Sequence, residues 1–278
     1  MKIVHISDTH IQDDPIMGSV PADNFRACAA HVLENSADAD MVVISGDLAH
    51  HGTKENYALL KALLSETKLA SMNPRLMIGN HDDRTTFREA FPDAKVDENG
   101  FIQWMEETPL GHVLFLDTNE PGTHEGHYCD KRQAWLRAAL DEIVKASSTA
   151  TIFLHHNPMT VHVANADQLG IVQEAEFQQI LEDYKSVIRH IFFGHCHFSL
   201  SGSVCGIPLS APRSTSHPNW PDFSGDKDRV GYGGMAQNYN VAFLNERSTV
   251  IHSIDFLDER KALWVGTEAD GWLAEDNI

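Results

Sequence analysis

Residues 41–51 read MVVISGDLAHH, and this stretch decides how the rest of the chain is interpreted. Its first four residues form a short continuous apolar run, which is typical of a strand buried on both faces. Ser45 and Gly46 end the run in a turn, and Asp47 follows directly. Open α/β sheets keep their functional sites at the carboxyl ends of their strands. A lone Asp in a turn is more often a solvated residue than a ligand, so the role of Asp47 depends on the other strands.

Four other segments repeat the pattern of an apolar run that stops at Asp, Asn or His. They are IVHISDTH at 3–10, RLMIGNHD at 75–82, TIFLHHNP at 151–158 and IFFGHCH at 191–197. Each run has about four to six apolar-rich residues, a normal strand length. At one edge of a sheet the polar residues that end these runs would converge and offer carboxylate, amide and imidazole ligands. The set is large enough for two ions about 3.5–4 Å apart that share one carboxylate.

The composition restricts the class of protein. The chain has 278 residues, of which 42% are hydrophobic, enough for one large α/β domain with a sizeable core. The net charge of −19 argues against a nucleic-acid polymer or an anionic membrane as partner, because both bind clustered Lys and Arg. No apolar run approaches the roughly 20 residues that span a bilayer, so we expect no stable membrane insertion. Four cysteines without a CxxC pair, and no signal-like N-terminus, predict a cytoplasmic protein.

The order of the predicted elements indicates a layered α/β sandwich. Three strand–helix alternations, a hairpin and two further alternations occupy the first 193 residues. Thr53 is predicted as the N-cap of a helix at 53–68, and further helices are predicted at 130–145 and 174–184. Residues 210–234 are rich in Pro, Gly and Ser, and this length predicts a functional or interface loop.

The ordered motifs DxH, GDxx, GNHD, a strand ending in HH, and GHxH resemble those of the calcineurin-like metallophosphoesterase superfamily. The forms SDTH and GHCH are most similar to class III cyclic nucleotide phosphodiesterases and bacterial glycerophosphodiesterases. This resemblance implies a four-layer αββα sandwich of two mixed β-sheets flanked by helices, with a dimetal site at the strand ends. We expect a catalytic domain at 1–257, whose part 198–257 includes a substrate or interface loop and a hairpin. Residues 258–278 would form a C-terminal tail.

The same resemblance assigns roles to individual residues. The implied metal ligands are Asp8, His10, Asp47, Asn80, His156, His195 and His197. Asp47 would bridge the two ions, with Asp8, His10 and His197 on the first ion and the others on the second. His81 matches the family histidine that contacts the substrate phosphate, and His217 matches another such histidine more loosely. Asn80 would lie beside His81 against the substrate.

The implied activity is hydrolysis of small phosphodiesters, with cyclic nucleotides and glycerophosphodiesters as the first candidates. A metal-bound hydroxide would attack phosphorus, while the metals and His81 stabilise the charge on the phosphoryl oxygens. The cofactors would be two divalent ions, with manganese, iron, zinc and cobalt all compatible with the mixed ligand set. Two alternatives stay open: a phospholipase C-like hydrolase of phospholipid headgroups, and a non-catalytic scaffold with the same fold. We also expect a homo-oligomer, a dimer or higher.

Other residues near the motifs are expected to have lesser roles. His155 should be packed or hydrogen-bonded away from the metals, because neighbours at a strand end point in opposite directions. One of His50 and His51 could line the pocket, and Trp220 and Tyr232 could equally stack on a substrate or fill an interface. The residues expected to be structural or at the surface are His5, His124, His127 and Cys196.

Overall fold

Two β-sheets form the centre of the computed structural model, which describes residues 1–232 and 235–257. The predicted tail at 258–278 lies outside the described residues. The strands are β1 (Lys2–Ile6), β2 (Met41–Ser45), β3 (Arg75–Met77), β4 (Trp104–Thr108), β5 (Gly111–Phe115), β6 (Ala150–Phe153), β7 (Ile188–Phe192), β8 (Leu200–Val204), β9 (Ile207–Ala211), β10 (Asn219–Trp220), β11 (Gly231–Tyr232), β12 (Asn238–Leu244) and β13 (Thr249–Asp255). The helices are α1 (Pro21–Asn35), α2 (Lys54–Glu66), α3 (Arg84–Ala90), α4 (Asp130–Lys145), α5 (Ala164–Asp167) and α6 (Glu174–Tyr184).

Both large sheets are mixed. The first has the strand order β13-β12-β1-β2-β3, in which β1, β2 and β3 are parallel and the β12–β13 hairpin is antiparallel. The second has the order β4-β5-β6-β7-β9-β8, with parallel pairs in the middle and antiparallel pairs at both edges. Parallel neighbours end at the same edge of their sheet, so the residues that follow β1, β2 and β3 are brought together.

Three apolar cores separate four layers. In β1, Ile3 lies in the core between the two sheets, whereas Val4 packs into the core under α1 and α2. This alternation follows from the two-residue period of a strand, and it explains the continuous apolar runs in the sequence. Phe153 and Phe192 of the second sheet stack in the central core, with ring centroids 4.7 Å apart. A third core lies between the second sheet and the helices α4 and α6. The expected αββα sandwich is confirmed.

The helices that were predicted from a long apolar periodicity in the sequence are present in the structure. The hydroxyl of Thr53 accepts a hydrogen bond from the backbone N–H of Asn56 at 3.2 Å, which confirms the predicted N-cap of α2. Helices α4 and α6 have the predicted bounds. The four-residue α5 was not predicted, because it is too short to show a helical period. None of the helices in the described ranges is long and apolar enough to cross a membrane.

The predicted loop at 210–234 contains some regular structure. Its residues in β10 and β11 pair in antiparallel fashion, with Asn219 opposite Tyr232 and Trp220 opposite Gly231. Trp220 and Tyr232 keep more than half of their surface exposed, at 57% and 56%. This short hairpin therefore presents two aromatic side chains to solvent beside the last pair of predicted ligands.

Candidate metal centre

The candidate ligands come from both sheets and meet at one end of the sandwich. Asp8 and His10 follow β1, Asp47 follows β2, and Asn80 follows β3. The two histidine pairs of the second sheet follow β6 and β7. Asp8, His10, Asp47 and His197 are buried and place one ligand atom each within 4.8 Å of the others. The convergence expected from the sequence is present.

The backbone at this edge adopts a conformation that L-residues seldom take. Five of the candidate ligands have positive φ angles: Asp8 (55°), His10 (43°), Asp47 (46°), His195 (66°) and His197 (59°). Positive φ is uncommon for residues other than glycine, and such strain persists where the surrounding structure imposes it, often at functional sites. The turns are held by hydrogen bonds between the two post-strand loops, including His10 N–H to the carbonyl of Asp47 at 2.8 Å.

Two glycines act in different ways at the centre. Gly46 has a φ of +105°, so it provides the sharp turn before Asp47 that the sequence predicts. Gly79 does not have a positive φ, but it has almost no space: a Cβ there would overlap Asp47 Oδ1 and His155 Nε2. The glycine before Asn80 is therefore required by close approach of the neighbouring ligands rather than by turn geometry.

The first group of ligand atoms surrounds a single point. The Nε2 atoms of His10 and His197 lie 3.0 Å apart. Nε2 of His10 is 3.5 Å from Asp47 Oδ2, and Nε2 of His197 is 3.3 Å from Asp8 Oδ1. Distances near 3 Å between ligand atoms fit an ion bound at about 2.0–2.2 Å from each nitrogen or oxygen.

The second group uses the other oxygen of Asp47. Asp47 Oδ1 is 3.3 Å from Nε2 of His155, which in turn lies 3.1 Å from Oδ1 of Asn80. One ring nitrogen each of His155, His156 and His195 lies within 4.8 Å of the others. The two oxygens of Asp47 thus face two separate sets of ligand atoms, as a bridging carboxylate would.

His155 is placed differently from its sequence-based expectation. Its Nε2 points at Asp47 and Asn80, whereas the resemblance made its neighbour His156 the ligand. His156 remains near: its Nδ1 is 2.6 Å from the hydroxyl of Thr118, and its buried Nε2 has no hydrogen-bond partner among the described residues. The rule of alternating directions applies inside a strand, and both histidines lie beyond the end of β6.

Backbone carbonyls fix the orientation of two of the imidazoles. Nδ1 of His197 donates to the carbonyl of His217 at 2.7 Å, and Nδ1 of His155 donates to the carbonyl of Ser45 at 2.9 Å. A carbonyl only accepts, so each Nδ1 carries a proton, and in the neutral ring the Nε2 atom keeps its lone pair. Histidine ligands of metals are commonly oriented in this way.

The electrostatics of the centre favour a cation. Asp8 and Asp47 are buried, and within the described ranges neither forms an ion pair with Lys or Arg. Burial alone would raise the pKa of Asp47, but the adjacent histidines, His155 first, hold it well below its usual range. Burial likewise opposes protonation of His155, yet Asp47 raises the pKa of that ring to about 9. Two buried carboxylates thus draw positive charge to the positions that ions would take, and the donor set fits divalent ions.

The residues predicted to contact substrate border the first ligand group. The backbone N–H of His81 donates to Asp47 Oδ1 at 2.9 Å, and its ring centroid is 4.7 Å from that of His10. The ring of His217 lies 4.4 Å from His197 and 5.0 Å from His10. The loosely supported expectation for His217 therefore has a geometric basis.

Some neighbours of the centre were underestimated or overlooked. Nδ1 of His50 is 3.2 Å from Nδ1 of His10, so of the two candidates at 50 and 51 it is His50 that faces the centre. His124 is exposed, as expected, and its Nδ1 also lies 2.9 Å from Nδ2 of Asn80. The buried carboxylate of Asp82 accepts backbone N–H groups from Gly79 and from residues 48 and 49, at 2.8–3.1 Å. The sequence signal that could have identified Asp82 is its position as the last residue of the GNHD motif.

Two residues near the motifs, His5 and Cys196, have the structural roles that were expected from the sequence. His5 is fully buried in β1, where its Nε2 lies 2.7 Å from the hydroxyl of Ser45. Cys196 is buried in the core beneath the second sheet, between the two histidines of GHCH. All four cysteines are free thiols.

A two-sheet sandwich with carboxylates and imidazoles converging at its strand ends defines a metallophosphoesterase. The family model of the calcineurin-like phosphoesterases matches residues 1–199. The chain belongs to this family, which confirms the expected superfamily and the expected class of hydrolase.

Curated relatives include two kinds of enzyme. A probable cyclic nucleotide phosphodiesterase of Rhodopseudomonas palustris is 33% identical over 222 residues, covering 78% of this chain and 79% of the relative. A cAMP/cGMP dual specificity phosphodiesterase of Mycobacterium tuberculosis is 29% identical, covering 91% and 78%. The glycerophosphodiester phosphodiesterase GpdQ of Enterobacter lignolyticus is 28% identical, covering 71% of each chain.

Solved structures support the fold. A dimetal phosphatase from Danio rerio superposes with a TM-score of 0.69 over 92% of this chain and 96% of that one, at 13% identity. At this identity the likeness concerns the architecture alone.

Proposed function

We propose that the protein hydrolyses small phosphodiesters, of the cyclic nucleotide or glycerophosphodiester class, with two divalent metal ions. The observation that carries this proposal is the carboxylate of Asp47, whose two oxygens face two separate ligand sets. The names of the curated relatives support the diester class. When bound, two such ions supply a nucleophile at neutral pH and neutralise charge on the phosphoryl group.

The first set that we propose is that of Asp8, His10, Asp47 and His197, as expected from the sequence. For the second set we propose Asp47, Asn80, His195 and His155, because Nε2 of His155 faces both Asp47 and Asn80. His156 is the alternative at this position, since its unpartnered Nε2 belongs to the same cluster.

His81 is proposed to act on the substrate. Its Nδ1 donates to the carbonyl of His50 at 2.8 Å, so Nε2 is the nitrogen left to face the bound phosphate. When protonated, Nε2 can donate to a phosphoryl oxygen or to the departing alkoxide oxygen. His217 borders the same space and is proposed to contact the substrate as well.

The scaffold alternative is disfavoured by the geometry, because a non-catalytic fold has no need to keep two buried carboxylates among converging imidazoles. The phospholipase C-like alternative has no separate observation in its favour. Manganese, iron, zinc and cobalt stay open as cofactors. The homo-oligomer, the cytoplasmic location and the domain limit at residue 257 stay predictions.

One experiment tests the proposed function. Metal content and hydrolysis are measured for the wild-type protein, for Asp47→Asn and for Asp13→Asn, whose carboxylate is exposed. The substrates are 3′,5′-cyclic AMP, glycerophosphoethanolamine and bis(p-nitrophenyl) phosphate. We expect the wild type and Asp13→Asn to hold two ions and cleave diesters, and Asp47→Asn to lose ions and activity. A metal-loaded wild type that cleaves no diester would refute the proposal.

A further inference from the structure

The imidazole of His10 is oriented by a side chain rather than by the backbone. Its Nε2 belongs to the first group of candidate ligand atoms, 3.0 Å from Nε2 of His197 and 3.5 Å from Asp47 Oδ2. Its Nδ1 lies 3.2 Å from Nδ1 of His50, the one hydrogen-bond partner that this atom has among the described residues. His155 and His197, in contrast, are oriented by backbone carbonyls, which no substitution removes.

The direction of the hydrogen bond between His10 and His50 follows from the position of His10. A neutral imidazole carries one proton, and the ring nitrogen that binds a metal must present a lone pair. With Nε2 of His10 as a ligand of the first ion, as proposed above, the proton of this ring is on Nδ1. Nδ1 of His50 is then the acceptor, and the proton of the His50 ring is on its Nε2 atom.

The backbone of His50 fixes the place of its half-buried ring. Its N–H donates to the carbonyl of Ile11 at 3.2 Å, directly after His10 in the chain. Its carbonyl accepts the Nδ1–H of His81 at 2.8 Å, and the rings of His50 and His81 stack with centroids 5.1 Å apart. His50 is therefore attached to both loops that it lies between, so its ring can orient a neighbour.

We propose that His50 is a positioning residue of the first ion site, whose Nδ1 accepts the proton of His10 and so fixes the tautomer and the orientation of that ligand. This inference rests on the proposed function, because it takes His10 as a metal ligand. Hydrogen-bond partners of metal-binding histidines typically change metal affinity by about 10–100-fold. The role requires an acceptor at this point and does not require an imidazole.

Two substitutions separate the acceptor from the size of the side chain. Nδ1 of His, Oδ1 of Asn and Cδ1 of Leu are all bonded to Cγ, so they occupy similar positions. His50→Asn therefore keeps an acceptor, whereas His50→Leu fills the space without one. Both variants keep the carbonyl that orients His81. His51→Leu is the matched control, because His51 is the exposed neighbour in the same loop.

The measurement is a titration of the chelated proteins with Co²⁺, followed by the visible spectrum of the bound ion and by competition with a chelator. We expect two dissociation constants in the wild type, of which His50→Leu raises one by about 10–100-fold. The other constant, and both constants in His50→Asn and His51→Leu, should stay within about threefold of the wild type. Urea unfolding of the metal-free proteins should give similar stabilities, which separates a role toward the ion from a role in folding.

Several outcomes would overturn the inference. Two unchanged constants in His50→Leu would do so, as would equal losses of affinity in His50→Leu and His50→Asn. Tighter binding in His50→Leu would also overturn it, because His50 would then be the donor to His10. If urea shows that His50→Leu is destabilised, His50→Ala, which also lacks an acceptor, is judged by the same criteria. A wild type that binds fewer than two ions, or that is metal-loaded and cleaves no diester, would instead count against the proposed function.

Discussion

The Nε2 atoms of His10 and His197 lie 3.0 Å apart, where the first group of candidate ligand atoms converges. Nδ1 of His197 is protonated because it donates to a carbonyl, so its Nε2 carries a lone pair whenever the ring is neutral, the form that binds a metal. On the other side of His10, Nδ1 meets Nδ1 of His50 at 3.2 Å. If His50 accepts there, Nε2 of His10 also carries a lone pair, and a cation removes the repulsion between the two.

The two adjacent histidines after β6 can be distinguished by metal content. His155→Ala should hold about one ion per chain, because its Nε2 faces both Asp47 and Asn80. His156→Ala should retain more of the second ion. Both variants are measured by elemental analysis after dialysis against a metal buffer. The reverse order would assign the second ion to His156, as the family resemblance implied.

Loss of His81 should affect turnover rather than metal binding. The backbone N–H of residue 81 donates to Asp47 Oδ1 and is kept in any substitution, while the His81 ring is the part proposed to face the substrate. His81→Ala should keep two ions and lower kcat by about 10²–10³, the scale of one charge-stabilising donor. His51→Ala is the matched control, since His51 is exposed. Loss of metal together with activity would show that His81 is structural.

His217 has separable backbone and side-chain roles. Its carbonyl orients His197 and survives any substitution, so His217→Ala should keep the metals. Its ring lies beside the first ligand group and should influence which diesters are cleaved. We expect the order of kcat/KM among a cyclic nucleotide, a glycerophosphodiester and bis(p-nitrophenyl) phosphate to change. Equal losses on all three substrates would argue that the ring only supports the centre.

Stability should depend on pH through His190. Burial lowers the pKa of this histidine to about 4. Its pKa in the unfolded chain is about 6.5, so between these values the unfolded state binds more protons and stability falls as the pH is lowered. The loss should approach ~1.4 kcal/mol per pH unit within that window.

The measurement is urea unfolding of the chelated protein at pH 7.5 and pH 5, for the wild type and for His190→Gln. Nε2 of His190 lies 3.0 Å from the hydroxyl of Ser210, a contact that Gln can replace. The variant should lose less stability than the wild type between the two pH values. An equal loss of stability in the wild type and in His190→Gln would show that groups other than His190 cause the pH dependence.

The sequence was informative wherever a candidate ligand directly follows an apolar run. Asp8, Asp47 and Asn80 could be predicted because each follows a strand of the same parallel set, and parallel neighbours end together. Long helices with a clear apolar stripe were also predictable, as α4 and α6 show. These features depend on local periodicity, which one sequence contains.

The choice between His155 and His156 could not be made in this way. The ring of His155 is oriented by the carbonyl of Ser45, which belongs to a strand of the other sheet. His124 reaches Asn80 from a loop 44 residues away in sequence. Such contacts depend on how the two sheets pack, and no spacing within one segment encodes that packing.

Because the candidate ligands are divided between the two sheets, bound ions would hold the two sheets together. Any opening of the central core separates Asp8, Asp47 and Asn80 from the histidines that follow β6 and β7. An ion whose free concentration is one hundred times its Kd would therefore stabilise the form with the two sheets packed together by about 2.7 kcal/mol. If cobalt were bound there, its visible spectrum would change when the two sheets separate and the ligands leave the ion. Activity assays do not detect such a motion.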